Sequence, residues 1–238
     1  SPYFFAFTLF ILSALYGLLI RWNFVFPIEL FVYKNFLQSH SHVAFLGWGY
    51  ISIITLIAQC YFVECQMRNK VYKTSLVIVM ITVVLMLISF PIGGYKVFSI
   101  VLLAVFGITS YVVAYMLLKD LKGIGIDVKL IKYGIYYYLL SSLATWFLAV
   151  VLVTQGKTDL YYNTVYFYLH FLYNGFFVFT LFGLLFKIFK VKNIKQLIKK
   201  FGSLKEYEKE CLYFHEKDCD TFNPKSEGIK DFAKKRLI

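Results

Sequence analysis

Three of the four histidines, His40, His42 and His170, fall in or at long apolar stretches, and the fourth, His215, lies in a charged C-terminal segment. An ionisable side chain inside an apolar span is costly and is a functional candidate by default. His42 and His170 stand 128 positions apart, yet the residues after them share one template. His42-Val-Ala-Phe45-Leu-Gly47-Trp48 and His170-Phe-Leu-Tyr173-Asn-Gly175-Phe176 both read His-x-x-aromatic-x-Gly-aromatic. On a helix each glycine is turned away from its histidine, so a neighbouring helix can pack closely behind while the imidazole points elsewhere.

Two neutral imidazoles opposed in an apolar, aromatic-rich bundle suit a flat ligand coordinated from both faces, and a b-type haem is the expected cofactor. Zinc or copper would more often show further Cys, His or carboxylate ligands at the same depth, and no Asp or Glu lies inside any span. His40 is predicted to point about 160° away from His42, where it can meet a haem propionate, a quinone headgroup or water. Asn174, one turn beyond His170, is placed to fix that imidazole or to contact the ligand, and a helix-to-helix hydrogen bond explains it as well. The plain alternative stays open for each histidine: an interfacial polar residue at a helix entrance. Cys211, His215 and Cys219, spaced i, i+4, i+8, invite a metal reading without an evident fourth ligand, and an ordinary charged helix explains them as well.

The elements that carry these residues follow from composition. Among 238 residues, 60% are hydrophobic, 21% aromatic and 16% charged, and the mean hydropathy is +0.68. A soluble globule is excluded, and apolar runs this long and unbroken are helices rather than barrel strands. Charge-free stretches at about 3–20, 39–63, 74–95, 97–118, 133–156 and 160–186 predict an all-α, six-helix transmembrane bundle. Pro91, Gly93, Gly94 and Lys96 separate the third span from the fourth. The first span, ending at Arg21 with no cleavage pattern, is expected to be a true helix and not a signal peptide. Residues 1–189 form the membrane domain, and 190–238 a short basic cytoplasmic tail, partly helical or disordered.

Lysine and arginine concentrate after spans two, four and six, which by the positive-inside rule puts both termini in the cytoplasm of a multi-pass protein, expected in a bacterial inner membrane. Trp22, Tyr161 and Tyr162 then belong to the outer aromatic belt and Tyr136, Tyr137 and Tyr138 to the inner one. All four cysteines fall in a reducing compartment, which disfavours disulfides. Half of the net charge of +12 lies in residues 187–238, with 14 cations and 8 anions, where Lys195 to Lys200 beside Ile194, Leu197 and Ile198 suit anionic lipid headgroups. The lipid bilayer is the expected partner, and nucleic acid is not. Ser141, Ser142 and Thr145 are expected to bond to carbonyls of their own helix. No phosphate-cradling glycine loop, Ser/His/Asp set or paired carboxylate supports hydrolase or kinase chemistry.

Gln38-Ser-His-Ser-His42-Val-Ala-Phe-Leu-Gly-Trp48, with Tyr161-Tyr-Asn163 and Tyr166-Phe-Tyr-Leu-His170-Phe-Leu-Tyr-Asn-Gly175, resembles the hallmark segments of small, divergent relatives of haem-copper oxidase subunit I. The superfamily comprises cytochrome c and quinol oxidases and the nitric oxide reductase large subunit. Pro91-Ile-Gly-Gly-Tyr95 and Lys119-Asp-Leu-Lys122 also fit the divergent branch, and the likeness covers roughly residues 3–187. It implies an axial ligand of a low-spin haem at His42, and His170 as the candidate opposite ligand, although the family's partner histidine stands on a much later helix. It also implies electron transfer or haem-dependent sensing, with a quinone or other respiratory-type subunits as partners. The full family set has six histidines, so the resemblance does not imply a complete oxygen or nitric oxide reductase. A haem-free membrane protein that binds a partner subunit or a small ligand is the alternative.

Overall fold

The computed structural model describes residues 2–29, 31–62 and 69–189. Cys65, Cys211, His215, Cys219 and the expected tail lie outside the described residues. The membrane domain is all-α, built of six helices each long and apolar enough to cross a bilayer. They are α1 (Pro2–Val25), α2 (Tyr33–Tyr61), α3 (Lys70–Gly93), α4 (Val97–Asp120), α5 (Ile126–Thr154) and α6 (Asp159–Ile188).

The turns have local causes. The Asn69 side chain caps α3 by accepting from the backbone N–H of Val71. Pro91 falls in the last turn of α3, and Gly94 takes φ +60 to turn the chain toward Lys96, the residue before α4. A Cβ on Gly94 would also lie 2.5 Å from Oδ1 of Asn35.

Successive helices pack on one another, and the last half of α6 returns onto the last half of α2. Because directions alternate, α2 and α6 are parallel, and His42 and His170 lie toward the same side of the bundle, called here the histidine side. At the opposite side Tyr61 donates to a carboxylate oxygen of Asp127 (2.8 Å), and the Lys187 ammonium sits 4.6 Å from the Tyr61 ring centre. These contacts tie the ends of α2, α5 and α6 together.

The template in the sequence is part of a structural repeat. The α1–α2 hairpin corresponds to α5–α6 at an offset of 128. Ser13 Oγ donates to the His40 carbonyl (3.3 Å), and Ser141 Oγ to the Tyr168 carbonyl (3.2 Å). Gly47 faces Leu9, and Gly175 faces Tyr137. In both hairpins the residue after the histidine begins a π-helical segment of seven residues, Val43–Gly49 in α2 and Phe171–Phe177 in α6. Such widened turns recur at functional sites and rotate the following side chains relative to a regular helix.

Two sequence expectations are corrected. Ser142 and Thr145 bond within α5, but Ser141 reaches across to α6. Tyr138 is core rather than belt: it is buried, donates to Ser110 of α4, and packs on Tyr50 and Phe176. Tyr137 is likewise turned inward, against Gly175, which leaves Tyr136 as the exposed member of the three.

Candidate functional site

His42 lies nine residues into α2, about 14 Å from its start at 1.5 Å per residue. Its Nδ1 is 2.8 Å from the Gln38 carbonyl oxygen, one turn back. A carbonyl only accepts, so Nδ1 carries a proton, and in the neutral form of the ring the lone pair is on Nε2. That Nε2 faces the Tyr95 hydroxyl at 3.2 Å, in the α3–α4 turn. Phe90 of α3 lies nearly parallel to the imidazole, with ring centres 4.7 Å apart, and Tyr95 meets it edge-on. The ring is thus held in its plane by α3, fixed in tautomer by its own helix, and directed at one hydroxyl. Close by, Oε1 of Gln38 is buried with no hydrogen-bond partner among the described residues, an acceptor to which a bound molecule could donate.

His40 belongs to another contact. Its Nδ1 donates to the Ser13 carbonyl of α1 (2.8 Å), and a Cβ on Gly17 would sit 3.1 Å from its Cε1. The two histidines do point apart: His40 latches α2 to α1, and His42 packs on α3.

His170 is exposed on α6. Its Nδ1 is 3.3 Å from the Asn174 amide, as the one-turn spacing led us to expect, and its ring lies edge-on to Phe171. An amide can offer either oxygen or nitrogen, so the His170 tautomer follows the amide's orientation. Between the two histidine-bearing helices the structure brings together the residues three positions on: Phe45 and Tyr173 meet at 4.8 Å, edge to face. Deeper, Gly49 accommodates Phe177, and Tyr50 packs on Phe176. His42 and His170 have separate neighbours, α3 for one and α6 itself for the other.

Sequence reasoning missed Tyr95 and Phe90 as partners of His42. Tyr95 stood out only as the end of the Pro91-Ile-Gly-Gly-Tyr95 segment, and 53 positions separate it from the histidine. The Gln38 carbonyl was accessible in principle, since it lies four residues back on the same helix. Among the described residues no group of three or more His, Cys, Asp or Glu is clustered. The open groove between Tyr111 and Trp146 is lined by α4 and α5 residues and includes none of these histidines.

Comparison with models of known protein families, with curated proteins and with solved structures yields no match.

Proposed function

We propose that this multi-pass membrane protein holds a b-type haem with His42 as an axial ligand, in the manner of a reduced relative of haem-copper oxidase subunit I. The observation that carries this reading is the tether from His42 Nδ1 to the Gln38 carbonyl, which commits the Nε2 lone pair to whatever approaches from the Tyr95 side. A ligating histidine characteristically donates its other ring N–H to a carbonyl or carboxylate, which fixes tautomer and ring plane. Phe90 supports one face of the imidazole, the Tyr95 hydroxyl is the group that iron would displace, and the free Gln38 Oε1 is an acceptor for a protonated propionate or water. Bound there, haem supplies one-electron chemistry, and the chain's residues supply ligation, orientation and an apolar surround. A quinone or a respiratory-type subunit is the electron partner such a centre serves. The same reading sets the histidine side outward and the termini in the cytoplasm of a bacterial inner membrane.

A second reading is favoured by the completeness of the same contacts: with Gln38, Tyr95 and Phe90 all engaged, His42 is a satisfied structural residue of a haem-free protein that binds a small ligand or partner subunit. A reduced-minus-oxidised absorption spectrum of protein purified from haem-sufficient cells separates the two. A Soret and α-band present in the wild type and lost in His42→Ala supports haem. Loss in His170→Ala as well assigns the counter-ligand to His170, and loss in His40→Ala but not His42→Ala moves the ligand by two residues. A folded, colourless wild type supports the haem-free reading.

A further inference from the structure

The two hairpins of the repeat differ in what covers them. On α2, the face bearing Asn35, Gln38, Ser39, His42 and Leu46 is covered by α3 and the turn after it. Asn35 bonds to the Pro91 carbonyl, Ser39 to the Leu87 carbonyl, and His42 packs on Phe90 and Tyr95. The equivalent α6 positions, at the same offset of 128, are Asn163, Tyr166, Phe167, His170 and Asn174. All five are exposed. Ser39 is 0% exposed and Leu46 8%, whereas Phe167 is 42% and Tyr166 70% exposed. Among the described residues no helix takes on α6 the place that α3 takes on α2.

This bare face is not an ordinary lipid-facing stripe. His170 and Asn174 lie about 16 Å and 22 Å along an α6 of about 45 Å, near its middle, which in a span crossing a hydrocarbon core of about 30 Å is well inside that core. An imidazole and a carboxamide at that depth are costly against lipid. The stripe runs Asn163, Phe167, His170, Asn174, Val178, Leu181, at intervals of three and four, all exposed. That is the spacing of a helix–helix seam, with the π segment absorbing the extra residue between His170 and Leu181.

We infer that the α6 stripe is the interface for a second copy of this chain. Two copies inserted in the same sense place α6 beside α6 in parallel about a twofold axis along the membrane normal. His170 and Asn174 then meet their own counterparts at matching depth. Each carries both a donor and an acceptor, so His170 can bond to the partner's Asn174, and the reverse, without a third chemical group. Polar positions in an otherwise apolar seam are a known device for fixing register and stoichiometry. The interface does not rest on the haem reading, whose ligand His42 lies on the other hairpin; loss of the haem band in His170→Ala would place His170 on the haem and overturn the interface.

Cross-linking in membranes tests it, in a chain whose four native cysteines are replaced by serine. Phe167→Cys and Leu181→Cys are expected to form disulfide-linked dimers on mild oxidation, whereas Phe7→Cys on α1 and Leu143→Cys on α5, both exposed, are not. In the cysteine-free background, a His170→Leu/Asn174→Leu double variant keeps the helix apolar and insertable, and is expected to weaken dimerisation roughly 3- to 20-fold in subunit-exchange measurements in bilayers. Cross-linking equal at seam and control positions, a monomer by single-molecule photobleaching, or cross-links from the seam only to a different polypeptide would each overturn the proposal. These readouts are independent of absorbance, so a colourless dimer refutes the haem and a coloured monomer refutes the interface.

Discussion

Gly183→Ala probes a close approach of α6 to the α5 backbone. A methyl carbon there would lie 2.5 Å from Cγ1 of Ile131, 2.8 Å from the Asp127 carbonyl oxygen and 3.1 Å from the Ile131 backbone nitrogen. The isoleucine side chain can turn away, but the α5 backbone cannot. Ordinary contact is restored only if α5 and α6 part locally by about 0.6 Å, which loosens the dispersion contacts along the seam. Overpacking of this kind costs about 1–3 kcal/mol. Alanine returns up to about 1 kcal/mol of helix propensity. Gly107→Ala supplies the control, because its added carbon meets only Cζ2 of Trp146 at 3.6 Å, an ordinary contact. The propensity gain is common to both variants, so the difference between them isolates the packing cost, about 1–3 kcal/mol. Unfolding in mixed micelles, followed by circular dichroism against denaturant, measures it. A Gly183→Ala variant as stable as Gly107→Ala would refute the α5–α6 packing described here.

Two further outcomes follow from the histidine contacts. Tyr95→Phe removes the hydroxyl facing His42 Nε2 and keeps the aromatic edge. It is expected to cost about 1 kcal/mol in haem-free protein and to leave the reduced-minus-oxidised band in place, whereas loss of the band would make Tyr95 part of the ligand set. Gly17→Ala presses a carbon to 3.1 Å from the His40 ring and is expected to destabilise by about 1–2 kcal/mol. In a double-mutant cycle with His40→Ala the two changes should couple by about 0.5–3 kcal/mol, and strict additivity would contradict the latch between α1 and α2.

The six spans were legible because hydration of charge and hydrophobicity act locally: each helix has an uncharged apolar core. The structured ends run past the apolar cores. Ile126, Asp127 and Val128 belong to α5, and Tyr33 to Gln38 to α2, since helical hydrogen bonding continues into the polar interface where hydropathy no longer marks it. The Pro91, Gly93, Gly94, Lys96 cluster was readable because Gly94 must supply a positive φ. The shared template exposed one turn of the repeat. The rest, Ser13 with His40 and Ser141 with Tyr168, is a pattern of side chain to backbone bonds across 27 residues, which no window of sequence displays. The environment of His42 depends on where α3 lies, and the bareness of His170 on the absence of an equivalent among the described residues. Both are tertiary facts. The π-helical segments had no signal beyond the glycine five positions after each histidine.

Chemical rescue of the His42 site tests the central claim most directly. His42→Gly opens the space of the imidazole beside Phe90 and the Tyr95 hydroxyl while leaving Gln38 and the rest of α2 in place. The account predicts that the wild type shows a haem absorption spectrum, that His42→Gly loses it, and that free imidazole added during purification restores it. A wild type without haem, or a His42→Gly variant whose spectrum is unchanged, would contradict the account.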